Sequence, residues 1–323
     1  MLRVRSLRKY YGEFLAVRDV SLDVAPGEVV GFLGPNGAGK STTMRIITGY
    51  LPATSGEVRV DGYEVTRHPL AVRQRIGYLP EHTPLYTDMR VREYLRYRAR
   101  IKGVPRRQVE ARVDEVLERA WLSDRPRQLI GTLSKGYRQR VGIADAMVGH
   151  PRLLILDEPT IGLDPAQIRA VRDLIRELAE GHTILLSTHI LAEVEQVCSR
   201  VVIIARGETV ADDTVEGLQA RFDEHVIELT VEADEPTEKV RATLAALPGV
   251  VTVVATQAEP ESPLQSFRVS FGERGDATEV AKRICRATTS AGWPLVRLSP
   301  QRPSLESIFV RLTQSAEATG SAA

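Results

Sequence analysis

Unbroken apolar runs punctuate the first two thirds of the chain. Val29 to Leu33 follows a Pro26-Gly27 turn, Leu153 to Leu156 follows Gly149-His150-Pro151, and Thr183 to Leu186 follows Gly181. Short apolar runs bounded by turn residues predict strands buried on both faces, as in a parallel sheet. Between them the period changes: Ile168, Val171, Leu174, Ile175 and Leu178 recur at spacings of three and four, one face of an amphipathic helix. Alternating strands and helices predict an α/β fold with a mostly parallel, covered sheet.

Beyond about residue 220 the pattern is different. Ile227, Leu229 and Val231 alternate, Val240, Leu244 and Leu247 repeat as a helix stopped by Pro248-Gly249, and Val250 to Val254 and Phe267, Val269, Phe271 read as two more strands. A further helix is predicted from Asp276, with Glu279 three residues on as an approximate capping box and Gly292 past its end. Leu295 to Leu298 makes a fourth strand, and Leu305, Ile308, Phe309 and Leu312 form one face of a last helix. The order β-α-β-β-α-β predicts an α+β ferredoxin-like domain over 221–313. Residues 314–323 carry no apolar anchor and are expected to form a flexible tail.

Charge supports these boundaries. Lys and Arg total 43 and Asp and Glu 42 in 323 residues, so no global field attracts nucleic acid or an acidic membrane. From Arg221 onward, however, 11 basic residues face 14 acidic ones, and from Met89 to Arg140 the balance is 15 to 6. The latter stretch, with Tyr94, Tyr97, Val113, Val116 and Leu117 at helical spacings, reads as a helical insertion with a basic exterior. That exterior is either a set of solvated helix faces or a docking surface. Cys198 and Cys285 are too few for a disulfide framework or thiolate metal site, and no apolar run approaches the roughly 20 residues that span a bilayer. Met1 to Tyr11 lacks the apolar segment of a signal peptide. A cytosolic protein is expected.

The chemistry concentrates in two segments. Gly34-Pro35-Asn36-Gly37-Ala38-Gly39-Lys40-Ser41, followed by Thr42, fits the phosphate-loop pattern and lies between a predicted strand and a predicted helix. Its glycines let backbone N–H groups turn toward phosphates, Lys40 brings a cation to the β and γ oxygens, and Ser41 can ligate Mg2+. Leu153 to Leu156 then delivers Asp157 and Glu158 to a strand end. Asp157 is suited to hold Mg2+ and Glu158 to polarise an attacking water.

Together with Leu133-Ser134-Lys135-Gly136-Tyr137-Arg138-Gln139-Arg140, these segments resemble the ATP-binding cassette (ABC) ATPases over residues 1–220. The resemblance implies a P-loop NTPase core with a helical subdomain at about 88–145. It also implies ATP and Mg2+ as cofactors and Tyr11, rather than Tyr10, as the aromatic that stacks on adenine. His189 then matches the switch histidine that senses the γ-phosphate, and Asp164 the loop that communicates across a dimer. Ser134 and the backbone of Gly136 would bind the γ-phosphate held by a second subunit. One phosphate loop and one signature segment per chain therefore imply a homodimer or a paired ABC subunit.

Three positions depart from the family pattern. Glu81 stands after Gly77-Tyr78-Leu79-Pro80 where Gln is usual, and Lys135 and Tyr137 stand where Gly and Gln are common. Glu81 can still accept from water and approach Mg2+, but it adds negative charge beside phosphate. The phrases IGYLPE, LSKGYRQR and LSTHILAEVE, with the C-terminal region, are similar to ATPase subunits of ABC-2 type exporters, and among these to the gliding-motility-associated branch. This implies separate transmembrane permease subunits, no direct nucleic-acid partner, and a peripheral place on the inner face of the membrane. A soluble ABC ATPase acting on ribosomes or nucleic acid, an importer ATPase and a slow regulatory switch are the alternatives.

Overall fold

A computed structural model describes all residues except 189, 223–225, 259–262, 273–276, 302–303 and 321–323. Two compact units emerge: Met1–Val215 with Phe309–Ala323, and Glu216–Ile308.

In the first unit β1 (Leu2–Tyr11) and β2 (Phe14–Val24) form a hairpin, followed by β3 (Val29–Leu33), α1 (Lys40–Ile47), β4 (Ser55–Val60), β5 (Tyr63–Glu64), α2 (Pro69–Arg73) and β6 (Ile76–Leu79). Three helices come next, α3 (Val91–Ile101), α4 (Val109–Arg119) and α5 (Lys135–Met147). The chain then alternates through β7 (Leu153–Asp157), α6 (Pro165–Ala179), β8 (Thr183–Thr188), α7 (Leu191–Val197), β9 (Arg200–Ala205) and β10 (Glu208–Thr214), and α8 (Val215–Arg221) leads into the second unit. The strands form one sheet in the order β5-β4-β1-β2-β10-β9-β3-β8-β7-β6.

The five strands β9, β3, β8, β7 and β6 are parallel neighbours, and every residue of β3, β7 and β8 is buried. This is the geometry the apolar runs predict. The sheet as a whole is mixed, because β1, β2, β4 and β5 pair antiparallel and β10 pairs antiparallel to β9. The expectation of a mostly parallel sheet holds for the core alone. Short turns such as that between Tyr11 and Phe14 leave no room for a crossover helix, so the amino-terminal strands fold as hairpins.

The register decides where the chemistry falls. Leu33 lies opposite Thr188, Asp157 opposite Ser187, and Leu79 opposite Leu156. The loop after β3, the end of β7, the end of β8 and the loop after β6 thus share the carboxyl edge of the parallel sheet, where α/β sheets bind ligands.

α3, α4 and α5 pack through Tyr94, Leu95, Val113, Val116, Leu117, Val141 and Ile143, all buried. Tyr97 departs from this pattern: it is exposed and tilts against Tyr86, ring centroids 5.8 Å apart. Many arginines of this basic region are neutralised within the unit. Arg96 forks onto Glu110, Arg98 and Lys102 meet Asp145 at 2.8 and 3.1 Å, and Arg112 is buried against the carbonyls of Met147 and Val148.

The second unit contains β11 (Val226–Glu232), α9 (Thr237–Ala245), β12 (Val250–Ala258), β13 (Leu264–Phe271), α10 (Ala277–Ser290) and β14 (Leu295–Gln301). Its sheet order β12-β13-β11-β14, antiparallel throughout, is that of a ferredoxin-like fold. Ile227, Leu229, Val231, Val240, Leu244, Phe267, Val269 and Ile284 make its core. Val251 and Val254 are exposed because β12 is an edge strand. The expected cap at Asp276 lies outside the described residues. The final helix, α11 (Leu305–Gly320), runs on through residues 314–320, where a loose tail is expected. The Ala, Gln and Glu of that stretch are good helix formers even without apolar anchors.

Candidate functional site

The loop between β3 and α1 curls tightly because Gly39 takes φ +100°, and a Cβ there would lie 2.8 Å from the Ala16 carbonyl. No side chain caps α1, so its amino-terminal N–H groups are free to serve an anion. Asn36, Gly37, Gly39, Lys40, Ser41 and Thr42 line a cavity of about 590 Å³, together with Tyr11, Phe14, Glu81 and Glu158. Gly34 and Ala38 belong to the same loop but pack inward: a Cβ on Gly34 would meet the Ile204 carbonyl at 2.5 Å, and the Ala38 carbonyl accepts from Gly207 N–H.

Lys40 is buried, its Nζ donating to the carbonyl oxygens of Gly34 at 2.7 Å and Pro35 at 3.3 Å, with Glu158 Oε1 at 4.0 Å. Burial pushes the ammonium below its ordinary pKa, opposed by the charges of Glu158, Asp157 and Glu81. Asp157 is also buried, which raises its pKa above the usual carboxylate value, while hydroxyls of Ser187 and Ser41 hydrogen-bond it and oppose the rise. The Ser187 bond measures 2.8 Å. Glu158 takes φ +50°, rare for a non-glycine residue, and its N–H is held by the Ser187 carbonyl at 2.9 Å. The turn so enforced aims Glu158 into the cavity while Asp157 stays behind Ser41.

Glu158 therefore stands 4.0 Å from the ammonium, and Asp157 and Glu81 add negative charge to the same site. Among the described residues no three His, Cys, Asp or Glu side chains form a self-sufficient metal cage. A hydroxyl and carboxylates with excess negative charge are the partial oxygen set that Mg2+ accepts alongside phosphate, so the donors fit that ion.

At the hairpin tip Tyr11 is opposite Phe14, and both are exposed aromatics on the cavity wall. Lys9 Nζ sits 5.3 Å from the Tyr11 ring centroid. Tyr10 is not among the lining residues. Phe14 and Ser187 are absent from the sequence-derived site. The available signals were a large aromatic beside a turn glycine and a polar residue ending an apolar strand.

The remaining expected residues lie elsewhere. Ser134 caps α5, accepting from the Tyr137 N–H at 3.4 Å, and Asp164 caps α6, accepting from the N–H groups of Ala166 and Gln167 at 3.0 and 2.9 Å. The two caps are linked, since a Cβ on Gly136 would lie 2.7 Å from Gln167 Oε1. Ser134, Gly136 and Asp164 do not line the cavity that holds Lys40. His189 lies outside the described residues.

The chain is similar to known proteins over nearly its whole length. Residues 17–161 match the model of the ABC transporter family. The chain is 32% identical over 315 residues to the linearmycin resistance ATP-binding protein of Bacillus subtilis, covering 97% of this chain and 98% of that one. It is 38% identical over 223 residues to the bacitracin transport ATP-binding protein of Bacillus licheniformis, covering 68% and 72%. A dimeric ATP-binding cassette solved in a post-hydrolysis state with ADP and Pi superposes with a TM-score of 0.60 at 26% identity, covering 67% of this chain and 99% of that one.

Proposed function

Because the chain belongs to the ABC transporter family of ATP-binding proteins, we propose that it is the ATP-hydrolysing subunit of an ABC-2 type exporter, driving a separate membrane permease. The observation that carries this reading is the division of the site. The cavity holding Lys40, Ser41, Glu81 and Glu158 contains no signature residue, while Ser134 and Gly136 stand at the start of α5. A second copy, placed by a two-fold axis, supplies what each cavity lacks.

In this reading Tyr11 and Phe14 hold the adenine by stacking, and the loop N–H groups and Lys40 hold the phosphates. Ser41 and Asp157, with Glu81 nearby on the cavity wall, would hold Mg2+, which when bound would neutralise charge on the β and γ oxygens. Ser187 fixes the Asp157 carboxylate. Glu158 orients and polarises the attacking water, and its strained turn keeps it clear of Asp157. His189 serves as the γ-phosphate sensor, and Asp164 orders the loop that meets the partner. Loss of the γ-phosphate removes the cross-subunit contacts and lets the dimer relax, a population shift that performs work.

Among the described residues no helix is long and apolar enough to cross a membrane. A second groove of about 510 Å³, lined by Tyr50, Tyr78, Pro80, Thr83, Arg98 and Lys102, adjoins the loop that carries Glu81. We assign this groove to cytoplasmic helices of the permease, which would place the subunit peripherally on the inner face of the membrane. The relatives that confer linearmycin resistance and transport bacitracin support export as the direction.

The test is a Glu158→Gln protein trapped with MgATP in native membranes. Turnover should fall by about 10² to 10⁴, the scale of general-base catalysis. The ATP-stabilised dimer should co-purify with polytopic membrane proteins. Recovery of ribosomes in their place would overturn the exporter, and undiminished turnover would remove Glu158 from its role.

A further inference from the structure

Beside the phosphate-loop cavity and apart from the 510 Å³ groove, a second cavity of about 390 Å³ is lined by Glu81, His82, Thr83, Lys135, Gln139 and Ile161 among others. Glu81 and Ile161 line both this cavity and the phosphate-loop cavity. The two spaces thus share one carboxylate.

The second cavity is rich in donors and short of acceptors. Lys135 is exposed at the first turn of α5 and has no hydrogen-bond or ion-pair partner among the described residues. Its Nζ rests on Gly162, 2.2 Å from where a Cβ would stand, so any side chain at 162 would displace it. Gly162 also takes φ +66°, the conformation that keeps that position glycine. Gln139 is more than nine-tenths buried, and its Nε2 has no partner among the described residues. An orphaned buried donor in a native fold calls for an explanation. Glu81 is the only carboxylate lining this cavity, and its single ionic contact among the described residues is His82 Nδ1 at 3.9 Å.

On the phosphate side Glu81 is the third carboxylate around Lys40. Lys40 is already shared with Glu158 and Asp157, so the Glu81 charge would oppose nucleotide charge rather than offset it. A second cation, Lys135, lines the adjoining cavity.

We propose that Lys135 is a positioning residue for Glu81. Its ammonium, with the Gln139 amide as second donor, draws the Glu81 carboxylate toward the start of α5 and neutralises it. The loop after β6 and the signature segment are thereby joined by a charge pair within one chain. This rests on the ATPase reading above and deepens it: Lys135 tunes how Glu81 meets the phosphate cavity, and it acts through Glu81 rather than on nucleotide.

The experiment is a double-mutant cycle on the purified full chain, measuring kcat and KM for MgATP in Lys135→Met, Glu81→Gln and the double variant, with Lys135→Arg as the conservative control. Lys135→Met should lower kcat about tenfold, the scale for residues that orient others, with KM for ATP unchanged. Lys135→Arg should restore most of it. Measured against the Glu81→Gln protein's own kcat, Lys135→Met should have little further effect, because an amide needs no counter-charge. Equal fold-losses in both backgrounds, or a rise in KM in place of the fall in kcat, would each overturn the pair. Lys135 is exposed, so the variants should keep the parent thermal midpoint, and a lowered midpoint that tracks the lost activity would also overturn it. Wild-type chain without MgATP turnover would instead refute the ATPase reading.

Discussion

Ser187→Ala isolates one buried hydrogen bond to a carboxylate. Ser187 and Asp157 are almost wholly inaccessible, at 0% and 2% exposure, and the hydroxyl donates to Asp157 Oδ1 at 2.8 Å. Alanine removes a single oxygen and leaves Ser41 as the remaining hydroxyl partner. A hydrogen bond to a charged group contributes about 1.5–3 kcal/mol, so the variant should lose roughly 2 kcal/mol, or about 4–8 °C in midpoint for a unit of this size. The sign with pH follows from burial. Burial already raises the folded Asp157 pKa above its unfolded value, and losing Ser187 raises it further. Below the unfolded value Asp157 is protonated in both proteins and the deficit is small; it grows as pH rises through the folded value and is complete above it. Thermal and urea denaturation of both proteins at pH 8, and at the lowest pH at which the fold persists, measure this directly. Mg2+ dependence of turnover should also weaken by about 10- to 100-fold, as when an orienting partner of a metal ligand is lost. Identical midpoints at pH 8, or a deficit larger in acid, would refute the reasoning.

Ser134→Arg places a bulky cation at the α5 cap and should abolish ATP-driven dimerisation while sparing nucleotide binding by the monomer; an unchanged dimer in sedimentation would remove Ser134 from the shared site. Tyr11→Ala and Phe14→Ala should each weaken ATP by about 1–3 kcal/mol, the range for loss of a base-stacking aromatic, and affect tripolyphosphate much less. Equal losses for both ligands in calorimetry would count against stacking. Asp145→Ala strands Arg98 and Lys102 and frees the Tyr94 hydroxyl, so it should cost about 3 kcal/mol, read as a lower urea midpoint at constant slope. A shift of under about 0.5 kcal/mol, the size of an ordinary surface substitution, would show that the cluster is solvated.

The residues of the phosphate loop, Asp157, Glu158 and the strands that carry them were legible in the chain because each depends on local order. An apolar run of four or five residues is buried wherever it folds, and a glycine-rich turn between such a run and a helix offers N–H groups in any context. The β-α-β-β-α-β order of the second unit was legible for the same reason, through alternation and turn residues. The hairpin strands at the amino terminus were harder to place. Which neighbour a strand pairs with is decided by residues as distant as Arg8 and Ser55, or Glu208 and Asp19, and local pattern says nothing of them.

Tertiary structure alone decided how charges and hydroxyls meet. A count of 15 basic residues from Met89 to Arg140 describes a strongly cationic surface, yet Arg112 is buried on carbonyls and Arg98 and Lys102 share Asp145, 47 and 43 positions away. Ser187 reaches Asp157 across 30 residues because β7 and β8 are in register, and Lys135 and Glu81 line one cavity because α5 packs beside β6. The sequence by itself determined which groups this protein has for phosphate chemistry. Only folding set their partners, because hydrogen bonds and ion pairs act over a few ångströms, and those distances are fixed by strand register and helix packing rather than by position along the chain.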